Sequence, residues 1–390
     1  MRHLLNKRVR EMQFSGIRKI ANLVAQYPDV INLTIGQPDF LTPEHIKATG
    51  KMAIDENKTT YTHNAGLIEL REAACDYILQ KYKLLYQPID EVIITVGASQ
   101  AIDITFRTIL EEGNEVILPA PIYPGYAPII ELCGATPVFI DTSKNGFKLN
   151  AELVRDQLTD KTRCIVLPYP CNPVGSILDQ KELEEIAELL KEKEIFVISD
   201  EIYSELTYEK PHTSIASIPE MRDKTIVING LSKSHSMTGW RIGFVFAPSY
   251  IIEEMLKVHL YNATCASSIS QYAAIEALTR GRDDTKMMKD EYRKRRDYVL
   301  KRLLSIGMEV EKPEGAFYIF PSIKHTNRKS EEFTIELLEK AGVAVVPGDV
   351  FSEAGEGYIR ISYANDMDML VEGLNRIEQF VDSINRKGEK

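Results

Sequence analysis

A chain of 390 residues, 44% hydrophobic and 27% charged, is too long for one small core and has the composition of a globular protein of about two or three domains. Its formal net charge of −10 argues against a nucleic-acid backbone as partner, because that surface calls for a basic face. The longest apolar runs, such as Glu91–Val96 and Phe196–Ser199, are strand-sized rather than the ~20 residues of a membrane span, so no membrane partner is expected either.

The basic stretch Met1–Arg10 is not followed by the apolar core of a secretory signal. Five cysteines, Cys75, Cys133, Cys164, Cys171 and Cys265, are odd in number and form no C-x-x-C pair. They are expected to be reduced packing residues of a cytoplasmic protein.

In chain order, Ser15-Gly16-Ile17-Arg18-Lys19 comes first, an apolar residue between a glycine and two cations. It admits two readings. One is an amphipathic helix, Ile17–Val24, packed on a smaller domain. The other is a lid hinged at Gly16, with Ile17 closing over a substrate. Apolar strands are then predicted at Glu91–Gly97, Glu115–Pro119, Thr136–Asp141, Arg163–Pro168, Ile195–Ser199, Thr225–Gly230 and Gly243–Ala247. Helical patterns fall between or after them at Ser99–Leu110, Gly125–Leu132, Lys181–Lys191 and Ile251–His259. Strands that alternate with helices imply crossover connections, hence an α/β fold whose mostly parallel sheet of about seven strands is covered on both faces.

After about Arg280 the pattern changes. A charged helix, Asp283–Leu304, leads to short strands at Met308–Lys312, Ala316–Ile323, Val343–Val346 and Tyr358–Ser362, with helices at Glu331–Lys340 and Asp366–Ile384. This reads as a smaller α+β domain. The expected division is residues 46–282 as the large domain, and 1–45 with 283–390 as the small one, with a ligand in the cleft between them.

Five segments carry chemistry. Gly97-Ala98-Ser99-Gln100 joins a strand to a helix, where small residues let a phosphate approach backbone N–H groups; Ser99 as a plain cap is the alternative. Pro170-Cys171-Asn172-Pro173-Val174-Gly175 reads as a turn, to which Asn172 adds an amide. Asp200 ends an apolar strand, with Tyr203 three residues on. It is either a turn acid or the partner of a protonated pyridine nitrogen. Lys233, in Ser232-Lys233-Ser234-His235-Ser236-Met237-Thr238-Gly239-Trp240-Arg241, follows another strand end, the edge where ligands bind in open α/β sheets. A lysine flanked by hydroxyls and followed by Arg241 is either a solvated turn residue or an imine-forming amine beside a phosphate site. Arg360 interrupts the apolar run Tyr358–Ser362 and either faces solvent or clamps a carboxylate.

Taken together and in this order, these segments resemble the class I/II pyridoxal-phosphate (PLP) aminotransferases of fold type I, over about Asn32 to Arg360. The resemblance implies PLP as cofactor and an amino acid and a 2-oxo acid as partners. It implies Lys233 as the cofactor-binding and proton-carrying lysine, and Asp200 as the partner of the ring nitrogen. Tyr203 and Asn172 would donate to the ring's 3-oxygen. Ser232, Arg241, Ala98 and Ser99 would hold the phosphate, and Tyr123 would stack on the ring. Arg360 would grip the substrate α-carboxylate beside Gly36, and Ile17 would cover the substrate. Tyr61 would reach the phosphate of the partner subunit in a homodimer. Val174 departs from the threonine common at its place, with the turn expected to survive. Ser232–Phe244 and Gly315–Ile323 also resemble a branch of the family that acts in lysine and cell-wall biosynthesis. A PLP-dependent β-lyase of the same fold would use the same residues. A PLP-sensing transcription factor would need a basic DNA-binding domain, and a nicotinamide dehydrogenase a G-x-G-x-x-G turn; neither is present in the chain.

Overall fold

The computed structural model describes residues 1–27 and 29–388. Its framework is a seven-stranded sheet built from β2 (Val92–Thr95), β3 (Glu115–Ala120), β4 (Thr136–Asp141), β5 (Thr162–Leu167), β6 (Phe196–Asp200), β7 (Thr225–Gly230) and β8 (Gly243–Phe246). The spatial order is β2-β8-β7-β6-β5-β3-β4. All neighbouring pairs are parallel except those made by β8, which runs antiparallel to both β2 and β7. The strand–helix alternation therefore predicted the sheet correctly, apart from the direction of β8. Only residues 231–242 separate the end of β7 from the start of β8, where Gly230 pairs with Gly243, so the chain turns back without a long crossover helix.

Alternate residues of each strand except the edge strand β4 enter opposite cores, as a pleated strand covered on both faces requires. Ile226 and Ile228 pack with Val116, Leu118 and Ile198 on one face; Val227 packs with Val92 and Ile94 on the other. Local chemistry sets several helix starts. Asp179 accepts from the backbone N–H of Glu182, and the Glu182 carboxylate returns the bond to Asp179 N–H, a capping box that begins Gln180–Leu190. Helices at Glu44–Asp55, Ile68–Tyr82 and Ser268–Leu278 went unread in the sequence. Buried residues surround Ile68–Tyr82 on several sides, Arg71 and Tyr77 among them, so no clean apolar stripe marks it.

The second lobe holds a three-stranded antiparallel sheet in the order β11-β12-β9, from Val346–Pro347, Ile359–Ser362 and Tyr318–Ile319. Beside it β1 (Ile31–Asn32) pairs in parallel with β10 (Val343–Ala344), which ties the N-terminal region to the C-terminal third. Helices Thr285–Ser305, Ser330–Ala341 and Met367–Gly388 pack around these strands, and Tyr292, Val299, Phe317, Phe333 and Leu374 share one core.

The predicted strand Met308–Lys312 is not one. Beyond Met308 N–H to Leu303 O (3.0 Å) at its start, it is held by the backbone bond from Ser322 N–H to Glu309 O (2.8 Å), with no ladder. Pro313 follows and cannot donate to a ladder. Ala316–Ile323 shrinks to β9 for related reasons: Ala316 takes a left-handed φ of 57°, and Pro321 interrupts the far end.

Candidate active site

Because β3, β5, β6 and β7 are parallel, their C-terminal ends share one edge of the sheet. The segments that follow them converge there: Tyr123 and Tyr126 after β3, Asn172 after β5, Tyr203 after β6, and Ser232 with Lys233 after β7. The antiparallel β8 starts at the same edge, which delivers Arg241 just before it. Arg360 arrives from β12 of the second lobe. A cavity of about 650 Å³ opens between them, within the usual range of small-molecule sites.

Every residue singled out from the sequence lines that cavity except Tyr61. Tyr61 is 84% exposed on the outer surface, and one chain alone does not bring it to the site.

Lys233 lies in the short helix Leu231–Ser234. Its amine donates to the backbone carbonyl of Gly36 and sits 5.8 Å from the Phe317 ring centre and 5.9 Å from that of Tyr203. Burial, then the nearby Arg360 and Arg241 charges, pull its pKa down from 10.5 to about 8. Among the residues lining the cavity, Asp200 is the one acid. Burial pushes its carboxyl up from 3.8 to about 6, against hydrogen bonds that favour the charged form. Those bonds come from the Tyr126 hydroxyl to Oδ2 (2.6 Å) and from Ile202 N–H to Oδ1 (3.2 Å).

Arg360 is fully buried, 2% exposed. One Nη donates to the Asn172 Oδ1 (3.0 Å) and the other to the Thr34 carbonyl (2.7 Å). The guanidinium stacks on Tyr318, 4.3 Å from the ring centre. Its Nε has no acceptor, and no carboxylate neutralises it among the described residues that it contacts. A buried cation in that state calls for an anion from outside the chain. The bond to Arg360 occupies the oxygen of the Asn172 amide and leaves the NH2 group to donate elsewhere.

The Arg241 end of the cavity is built by close approach. Gly97 adopts φ +75°, and a Cβ there would lie 2.3 Å from an Arg241 Nη. A Cβ at Gly243 would lie 2.6 Å from Ala98 N. Two glycines thus let the Arg241 guanidinium lie against the N-terminus of Gly97–Ile109, where free N–H groups and the helix dipole favour an anion. Arg241 itself has a left-handed φ of 56° and is held by a bond to the Thr238 carbonyl (2.9 Å).

Sequence reasoning missed two residues here. Tyr126 opens the helix Tyr126–Leu132 three positions after Tyr123, and the rings meet edge to face at 5.7 Å; its nearness to Tyr123 in the sequence is the one local signal. Tyr318 bonds the Tyr203 hydroxyl (2.9 Å) and carries Arg360 on its ring; nothing local in its sequence marks it.

These features fit a phosphorylated pyridine carrying an aldehyde. The cavity offers an amine of lowered pKa, a buried acid for a ring nitrogen, an anion cradle at one end and an unneutralised guanidinium at the other. Comparison with known proteins agrees. Residues 28–377 match the family model for aminotransferase class I and II. The chain is 62% identical to a protein named probable N-acetyl-LL-diaminopimelate aminotransferase from Bacillus subtilis, over 98% of this chain and 96% of the relative. It is 46% identical to an aspartate aminotransferase from Pyrococcus abyssi, over 94% of this chain and 95% of the relative. The crystal structure of an aromatic aminotransferase from Pyrococcus horikoshii superposes with a TM-score of 0.89 at 43% identity, covering 93% of this chain and 99% of that one. The chain belongs to the class I and II aminotransferases, and is a PLP-dependent enzyme acting on amino acids and 2-oxo acids.

Proposed function

We propose that this enzyme moves an amino group between glutamate and a 2-oxo acid, and that its physiological pair is N-acetyl-L,L-diaminopimelate and N-acetyl-2-amino-6-oxopimelate, in lysine biosynthesis. The observation that carries amino transfer is the placement of Lys233, Asp200 and Arg360 around one cavity. The 62% identity to the Bacillus subtilis relative supports the particular substrate.

When bound, PLP supplies an aldehyde that captures amines and an electron-poor ring that stabilises negative charge at the substrate Cα. The chain does the rest. Arg360 binds the substrate α-carboxylate, with Asn172 and Thr34 fixing the guanidinium and Gly36 alongside. Lys233 Nζ, with its pKa near 8, takes the proton from Cα as general base. Asp200 holds the proton on the ring nitrogen. The hydroxyl of Tyr203 and the NH2 of Asn172 would donate to the ring oxygen, and Tyr123 would supply an aromatic surface for the ring. Ser232, Arg241 and the N–H groups near Ala98 and Ser99 hold the phosphate. Ile17 covers the substrate and excludes water.

In this reading residues 46–282 form the cofactor-binding domain, and 1–45 with 283–390 the smaller one. The active form is a homodimer in which Tyr61 reaches the partner's phosphate; its exposure within one chain supports that. A cytoplasmic location is supported by the free state of all five cysteines.

The test offers holoenzyme glutamate with a panel of 2-oxo acids, and N-acetyl-L,L-diaminopimelate with 2-oxoglutarate. Glutamate formation from the latter pair is expected. Turnover of other pairs alone would discard the proposed substrate, and release of pyruvate and ammonia without an acceptor would assign elimination instead.

A further inference from the structure

Four cations line the cavity, Arg18, Lys233, Arg241 and Arg360, against the single acid Asp200. Three of them have work in the reading above: Lys233 at the reacting carbon, Arg241 at the phosphate and Arg360 at the α-carboxylate. Arg18 has none. It stands on the helix Gly16–Val24, whose Ile17 and Ala21 also line the cavity. Its backbone N–H bonds to Ser15 O (2.9 Å), while its guanidinium meets no acceptor among the described residues.

The helix that carries it is anchored. Ile20 and Val24 are buried against Leu338 and Ala344. Ile17 packs on a cluster that includes Phe147 and Phe351. Val350 occupies the space beside Gly16, 2.4 Å from where a Cβ would lie. The apolar stripe thus faces the second lobe, and Arg18 lies on the flank of that stripe that borders the cavity mouth.

Charge balance then points to what Arg18 meets. The phosphate is matched by Arg241 and a helix N-terminus, the α-carboxylate by Arg360, and the ring proton by Asp200. One positive charge remains, on an exposed residue of the cavity wall. We propose that Arg18 is the specificity-determining contact for the distal carboxylate of a dicarboxylic amino acid or 2-oxo acid. A guanidinium suits that group because it offers paired N–H donors to both carboxylate oxygens. The proposal rests on the aminotransferase reading and adds to it a residue that selects the side chain.

The experiment compares glutamate with norvaline, the same carbon chain ending in a methyl group, as amino donors to 2-oxo acids. In wild-type holoenzyme kcat/KM favours glutamate. In Arg18→Gln the glutamate-to-norvaline ratio falls about 10- to 100-fold, the range expected for a lost charge-assisted contact, and Arg18→Lys keeps part of the preference. Calorimetric binding of glutarate and valerate to the same holoenzymes gives a second readout: wild type prefers glutarate, and Arg18→Gln loses that preference. An Arg18→Gln ratio within about twofold of wild type, or an unchanged preference for glutarate, overturns the assignment. Should Arg18→Gln fail to fold, Arg18→Lys carries the same comparison, and a ratio and glutarate preference equal to wild type overturn it there. If wild type accepts norvaline but not glutamate, the role of Arg18 is overturned while amino transfer stands. If wild type transfers the amino group of neither donor nor of any other, the aminotransferase reading itself has failed.

Discussion

Asp200 is held in a state that costs the protein stability, and removing its charge should show it. Burial raises its pKa from 3.8 to about 6, a shift of roughly two units at ~1.4 kcal/mol each, or about 3 kcal/mol. Between those two pH values the unfolded chain has released the proton while the folded chain keeps it. Stability therefore falls as pH rises through that window, and above about 6 the whole cost is present. Asp200→Asn replaces the carboxylate with a neutral isostere. Its carbonyl can still accept from Ile202 N–H, and its NH2 can donate to the Tyr126 hydroxyl. The cofactor-free variant should melt above cofactor-free wild type at pH 8, by an amount equivalent to at most about 3 kcal/mol. The advantage should shrink as pH falls through 6 and vanish near 3.8. The holoenzyme should show the opposite balance, with kcat lower by about 100- to 1000-fold, because the charge that supports the ring proton is gone. Thermal melts across pH, with and without PLP, together with steady-state kinetics, measure both. A melting difference that does not change with pH, or an unchanged kcat, would refute the reasoning.

Three further outcomes are expected. Borohydride reduction of the holoenzyme should fix a pyridoxyl group on the peptide containing Lys233, and cofactor capture by the cofactor-free protein should speed up as pH approaches about 8, where that amine loses its proton; a label on another lysine would contradict the site. Gly97→Ala puts a methyl group 2.3 Å from Arg241 at a residue with φ +75°, so PLP affinity measured by equilibrium dialysis should fall about tenfold or more, and wild-type affinity would rule out the cradle. Sedimentation should find a dimer, with Tyr61→Phe binding PLP more weakly; a fully active monomer would remove Tyr61 from the site.

The gathering of these residues around one cavity was legible because most of them sit in short motifs at strand ends. Once β5, β6 and β7 are recognised as parallel strands, Asn172, Asp200 and Lys233 must share an edge, since parallel strands end on the same side. Arg360 stood out for a related reason, as one charge inside an apolar strand. Local patterns of this kind survive in one dimension. The direction of β8 does not, because an antiparallel return and a crossover can carry the same apolar run. The sequence likewise named Ile17 without choosing between packed helix and lid; tertiary packing places it in both the Phe147 cluster and the cavity wall.

Contacts between distant segments were decided only by the folded chain. Tyr126 reaches Asp200 across 74 positions and Tyr318 reaches Tyr203 across 115, separations at which no spacing rule applies. The same holds for the charge state of the site. Whether Asp200 is an ordinary acid or one raised to about 6 depends on how much water the surrounding walls exclude, and those walls come from both lobes. Residue type and order determined which chemistry is available to this protein; burial and long-range contact decided how strongly each group is tuned, because desolvation is a property of the packed volume and not of the chain.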